Sequence, residues 1–165
     1  MKILIISHNP ISTYQSMGKT FLSLFHFFQR EELCQLYIYP SIPDVDKCNS
    51  YFRVTDKEAL QSCLTRRGIG REIGNDEIRV AKKGLFENEK DESIYRNPKN
   101  QQALRMLLRD DVWKFSNWFN KRAKKWLNKE KPTCIFVAPG TGKFLYNIAI
   151  KISKKYNLPI VSYIC

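Results

Sequence analysis

Lys2-Ile-Leu-Ile-Ile-Ser7 holds an unbroken aliphatic run, Ile3 to Ile6, the pattern of a strand buried on both faces of a parallel sheet. Phe21, Leu24, Phe25 and Phe28 recur at helical spacing and predict a helix over Gly18 to Phe28. Leu33 to Tyr39, closed by Pro40, reads as a second strand, and Tyr51 to Thr55 as a short third. Asp56 is expected to cap a helix running to about Arg66. The first half therefore alternates strand and helix.

From about 67 to 100 the pattern dissolves. Gly68, Gly70, Gly74, Gly84 and Pro98 sit among many charges with little periodicity, which predicts an irregular, partly helical excursion. Gly68-Ile-Gly70-Arg-Glu-Ile-Gly74 imitates a dinucleotide fingerprint, but its third glycine falls one residue late and no convincing strand precedes it. A long helix is expected from about Gln101 to Lys129. Its core stripe would be Leu104, Leu108, Phe115, Phe119 and Trp126, with Leu107, Val112 and Trp118 alongside. Pro132 ends it. Thr133 to Ala138 then reads as a strand, Pro139 to Gly142 as a turn, Lys143 to Tyr156 as an amphipathic helix, and Ile160 to Cys165 as a final strand. Strand, helix, strand in this order implies right-handed crossovers and a doubly wound, Rossmann-like parallel sheet in one α/β domain, with strand order 3-2-1-4-5.

Composition narrows the class. A chain of 165 residues, 43% hydrophobic and 13% aromatic, can bury a core and is expected to be globular. No apolar run approaches the roughly 20 residues of a membrane-spanning helix, and the Ile3 to Ile6 segment is too short for a signal peptide, so the expected location is cytoplasmic. The 5 cysteines (Cys34, Cys48, Cys63, Cys134 and Cys165) are odd in number and widely spaced, which suggests free, buried thiols and no metal site. With 28 Lys and Arg against 16 Asp and Glu, the net charge of +12 favours an anionic partner: nucleic acid, an anionic membrane leaflet or a phosphorylated substrate.

In doubly wound sheets, ligands bind beyond the carboxyl ends of the strands where the strand order reverses. Two loops converge there, Ser7 to Gly18 and Ala138 to Lys143, and both lead into helix N-termini suited to anions. Gly18 and Gly140 would either let backbone approach a ligand or simply make tight turns. Gly18-Lys19-Thr20 after a strand suggests a P-loop, but Thr13 stands where the leading glycine belongs. The Gly140-Thr-Gly142-Lys143 turn has Val137 in that place and Phe144 where Ser or Thr should hold magnesium. A P-loop-like NTPase or kinase is thus a secondary reading.

The chain resembles the N-terminal half of GT-B glycosyltransferases, especially retaining enzymes of bacterial surface-polysaccharide synthesis. The resemblance rests on Met1-Lys-Ile-Leu-Ile-Ile-Ser-His-Asn-Pro10, Met17-Gly-Lys-Thr20, Lys131-Pro-Thr-Cys-Ile-Phe-Val137 and Leu158-Pro-Ile-Val-Ser-Tyr163. Met17 stands where the family often has a second glycine, and Thr133 where it usually has aspartate. The resemblance implies transfer of a sugar from a nucleotide-sugar donor to a saccharide or lipid-linked acceptor, with no further cofactor. It also implies that this is the acceptor-side domain, inactive alone, and that the nucleotide-sugar domain, absent from these 165 residues, would follow an apparent final strand. On that basis Gly18, Lys19 and Thr20 would face donor phosphates, and Gly140 and Thr141 would line the cleft. His8, as a base or hydrogen-bonding group, and Asn9 would reach an acceptor hydroxyl, while Ser12, Thr13 and Tyr14 would recognise sugar.

Two other surfaces suggest partners. Met106, Trp113 and Leu127 fall off the expected core stripe near the basic cluster Lys121, Arg122, Lys124, Lys125, Lys129 and Lys131, which suits peripheral contact with an anionic inner membrane face. A nucleic-acid-binding module is the alternative suggested by charge. The positive residues are spread out, and no RRM signature, zinc-finger spacing or Arg-rich tract is present, so no specific nucleic acid is expected.

Overall fold

The computed structural model describes residues 1–81, 102–140 and 142–163 of the protein. In chain order the elements are β1 (Ile3–Ser7), α1 (Ser16–Leu24), β2 (Leu33–Tyr37), β3 (Ser50–Arg53), α2 (Asp56–Thr65), β4 (Arg71–Ile73), α3 (Asn75–Ala81), α4 (Gln102–Phe115), α5 (Lys121–Glu130), β5 (Cys134–Ala138), α6 (Lys143–Tyr156) and β6 (Ile160–Ser162). They form an α/β fold around one six-stranded, mostly parallel sheet of order β4-β3-β2-β1-β5-β6, compatible with a Rossmann-like arrangement.

Every residue of β1 and β2 is buried, because helices cover both faces of the sheet. Leu4, Ile6, Leu36, Phe52, Ile135 and Val137 point into one core layer, closed by Trp113, Trp118, Trp126, Leu127 and Ile148. Ile3, Ile5, Tyr37, Tyr51 and Ile73 point into the other, where Phe21 and Phe25 of α1 and Ile78 of α3 pack. The order expected from sequence holds for the five parallel strands. β4 was hidden in the charged excursion and adds itself antiparallel to β3, pairing Ile73 with Tyr51. The false fingerprint has a packing role: at Gly70, with φ +85°, a side chain would start 2.6 Å from the Phe52 ring. Residues 82–100 of the excursion lie outside the described residues.

The expected long helix is two. α4 stops at Phe115, and the Asn120 side chain accepts from the Arg122 N–H to start α5 (2.7 Å). Asn120 also donates to the Ile69, Asn117 and Trp118 carbonyls, so the break is bolted to the segment entering β4. The stripe was set in the wrong phase. Trp113 and Leu127 are buried, whereas Leu108 and Phe115 are exposed, so Trp113 and Leu127 cannot offer a greasy face to lipid. The expected stripe members Leu104 and Leu107, with Met106, lie outside the described side chains. α2 is capped by Thr55 rather than Asp56, through a capping box with Glu58. Cys34, Cys48, Cys63 and Cys134 are free thiols, and burial pushes that of Cys48 up to about 12. Among the described residues no helix is long and apolar enough to cross a membrane.

At the amino end of the sheet, Glu130 is buried and accepts from Lys2 Nζ (2.9 Å) and Asn49 Nδ2 (2.8 Å). Burial alone would raise its carboxyl pKa, but the bonds from Asn49, Lys2 and Ser50 outweigh it and hold the group below its ordinary value. Trp126 ties into the same network by donating to Ser50 Oγ (2.7 Å).

Candidate functional site

β1 lies between β2 and β5, with Ser7 opposite both Tyr37 and Ala138, so the strand order reverses at its carboxyl end. The two expected loops do leave the sheet side by side.

The first loop is drawn tight by Gln35, a buried glutamine of β2. Its Nε2 donates to Ser7 Oγ (2.8 Å) and to the Asn9 carbonyl (3.1 Å), and its Oε1 accepts from the Ile11 N–H (3.0 Å). The Ser7 hydroxyl donates to the same Asn9 carbonyl. Ser12 is buried and accepts from the Gln15 N–H. The loop therefore folds onto the start of α1. A side chain at Gly18 would begin 2.4 Å from Ser12 Oγ, 2.7 Å from Ser12 N and 2.8 Å from the Pro10 carbonyl oxygen. Gly18 serves close packing of the loop on the helix. The Thr13 N–H (3.0 Å) and hydroxyl both donate to Asp44, so a carboxylate of the chain itself occupies these donors. Tyr14, Lys19 and Thr20 are exposed, and the Thr20 hydroxyl returns to the Ser16 carbonyl.

The second loop has the same character. Gly140 is exposed with φ +55°, and nothing lies within 4 Å of where its side chain would start. Thr141 lies outside the described residues. Gly142 begins α6, and the Phe144 N–H donates to Asp110 Oδ1 (3.0 Å). The loop before α1 and the first turn of α6, both expected to meet phosphate, thus each bond a carboxylate supplied from within the fold.

What the fold gathers at the end of β1 is a different group. His8 follows Ser7 directly, and its carbonyl accepts from the N–H groups of Ile38 and Tyr39, which holds the imidazole edge-on to the Tyr39 ring. Asp56 arrives on the first turn of α2, immediately after the Thr55 cap. Arg109 arrives from α4 and grips Asp56 with two nitrogens, Nε to Oδ1 and Nη2 to Oδ2, both at 2.9 Å. The guanidinium lies 4.5 Å from the centroid of the Phe144 ring, which stacks on Trp113. Trp113 Nε1 donates to Asp56 Oδ1 at 2.7 Å, fixing the carboxylate from a second side.

Arg109 Nη2 also reaches His8 Nδ1 at 3.3 Å. A guanidinium can only donate, so Nδ1 is the acceptor and the proton of the neutral ring sits on Nε2. Burial and the Arg109 charge lower the His8 pKa to about 4, against an opposing pull from Asp56. At neutral pH His8 is therefore uncharged and a weak base, and this arrangement favours an Nε2–H donor. Asn9 is half-buried beside it. The Asp56 and Arg109 side chains remain 26% and 24% exposed, a carboxylate and a guanidinium side by side. Such a surface suits neutral hydroxyl groups. Among the described residues no group of three or more His, Cys, Asp or Glu side chains could hold a metal ion.

Sequence reasoning singled out His8 and Asn9 for this site and did not place Asp56, Arg109 or Trp113 beside them. The available signal was the four-residue spacing of Arg109 and Trp113, which puts them on one helix face. No family model, curated protein or solved structure matches the chain, so the site is read from its own residues and geometry.

Proposed function

We propose that this domain is the acceptor-side half of a two-domain, GT-B type glycosyltransferase, moving a sugar from a nucleotide-sugar donor to a saccharide or lipid-linked acceptor. The observation that carries the reading is the uncharged His8, with its Nε2–H, placed at the strand-order reversal next to the Asp56–Arg109 pair. Acceptor hydroxyls need donors and acceptors close together at moderate strength, and these three side chains supply them. Donor phosphates would be met chiefly by a second domain, since the loop before α1 and the first turn of α6 already bond Asp44 and Asp110. Under this reading His8 orients an acceptor hydroxyl, while proton removal and leaving-group stabilisation rest with groups across the cleft.

The test is release of nucleoside diphosphate by the complete gene product, assayed over a panel of nucleotide sugars with mixed saccharide acceptors. Acceptor-dependent release is expected, and His8→Ala should lower kcat/KM for the acceptor by about tenfold to a hundredfold, the worth of one or two hydrogen bonds. Absence of release with every donor, or ATP hydrolysis by the present chain that is abolished in Lys19→Ala, would overturn the reading in favour of another class.

A further inference from the structure

α2 and α4 run side by side in the same direction on the surface: Asp56 meets Arg109, Cys63 Sγ reaches the Val112 carbonyl, and Ser62 Oγ accepts from the Asn117 N–H. The outer side of this seam is apolar. Leu60 and Leu64 of α2 are 55% and 83% exposed, and Leu108 and Phe115 of α4 are 55% and 62% exposed. Each pair is spaced by whole helical turns, so each forms a ridge along its helix. The carboxyl ends of both helices meet a basic cluster. The Arg66 carbonyl accepts from Asn117 Nδ2, which brings exposed Arg66 and Arg67 against the α4–α5 break, whose two sides carry exposed Lys114, Lys121 and Arg122. Asp111 is the exposed acid between Leu108 and Phe115.

We propose that this α2–α4 seam docks on an anionic lipid surface, with Leu60, Leu64, Leu108 and Phe115 entering the headgroup boundary and the five cations contacting lipid phosphates. The proposal stands apart from the glycosyltransferase reading. Two observations select lipid. Side chains more than half exposed stand out from the surface instead of lining a groove, a shape suited to a soft interface and poor for receiving a partner helix. A second copy would bring the same five cations against themselves in a chain already at +12, whereas anionic headgroups neutralise them. The face differs from the one expected from sequence pattern, because Trp113 and Leu127 are core residues.

Flotation of the chain with vesicles of phosphatidylcholine alone, and of phosphatidylcholine mixed with phosphatidylglycerol, tests the proposal. Partition onto the anionic vesicles alone is expected. Leu64→Asp with Phe115→Asp should weaken it by about tenfold or more, and Arg66→Ala and Arg67→Ala by about fivefold each. Leu60→Ser with Leu108→Ser is an independent apolar pair should the first variant lose its thermal transition. Failure to float with anionic vesicles would overturn the proposal, as would unchanged partition in folded apolar variants. A lipid-free dimer in sedimentation that those variants dissociate would instead assign the seam to a second copy.

Discussion

Replacing Gly18 with alanine tests how tightly the loop after β1 packs on the start of α1. The new methyl group would meet Ser12 Oγ at 2.4 Å, Ser12 N at 2.7 Å and the Pro10 carbonyl oxygen at 2.8 Å. Ordinary carbon contacts lie near 3.5–4.0 Å, so about 1 Å of movement is required against two backbone atoms. The hydroxyl can rotate away, but the backbone is pinned through Gln35, whose amide holds both Asn9 and Ile11. Overpacking of this kind costs about 3 kcal/mol. Alanine recovers about 1 kcal/mol of helix propensity within α1. The net loss is about 2 kcal/mol, or a fall in Tm of roughly 4–8 °C for a domain of this size. The assay is thermal and urea unfolding of Gly18→Ala alongside Ser12→Ala/Gly18→Ala. The double variant removes the nearest contact but leaves the other two, so it should recover only part of the loss. A Gly18→Ala protein as stable as the wild type, or one fully rescued by Ser12→Ala, would show that the loop is not packed on α1 as described.

The lowered His8 pKa has a defined stability consequence: the unfolded chain binds a proton near pH 6.5 that the folded chain does not take up until about pH 4, so stability falls across that window as pH drops. The loss is at most about 3 kcal/mol, seen as a steeper urea-midpoint profile that His8→Gln flattens, while Arg109→Met should move the His8 NMR titration upward by removing the charge that disfavours protonation. At the other end of the sheet, Lys2→Met takes the hydrogen-bonded cation from the buried Glu130 carboxylate, leaving Lys129 Nζ at 4.0 Å, and should cost about 3 kcal/mol in urea unfolding. Because the Glu130 pKa is depressed, its contribution is present above the ordinary carboxyl range and is lost as pH falls through the folded value, so the Lys2→Met penalty should shrink in acid. Trp113→Phe keeps the stacking on Phe144 but removes the indole donor to Asp56, and should cost about 2 kcal/mol by the same assay.

Strands and their order were legible where the sequence is locally consistent. β1 and β5 are apolar runs and β2 is apolar but for Gln35, and α6 was bounded correctly because its apolar spacing begins after Gly142 and ends before Asn157. β4 was illegible because two of its three residues, Arg71 and Glu72, are charged and its place is set by pairing with β3. The α4–α5 break was masked by Trp118 and Phe119, which extend an apparent helical period through the turn, although Ser116, Asn117 and Asn120 carried the capping signal. With the phase fixed on Leu108 and Phe115, Arg109 and Trp113 looked like surface residues. Their partner Asp56 lies 53 positions from Arg109 and 57 from Trp113, beyond any local pattern. The close approach of Ser12 and Pro10 to Gly18, and the bonds from Thr13 to Asp44, depend on tertiary packing that composition does not reveal.

The central claim is that hydroxyl-bearing ligands meet the chain at His8, Asp56 and Arg109. Side-chain NMR of His8 and Arg109, followed while saccharides and then nucleoside diphosphates are titrated into the chain, tests it most directly. Saccharide-dependent shifts at His8 Nε2 and at the Arg109 guanidinium, with smaller shifts from nucleoside diphosphate, are the predicted result. Shifts confined to Lys19 and Thr20 on adding nucleoside diphosphate, with His8 and Arg109 unmoved by every saccharide, would contradict it.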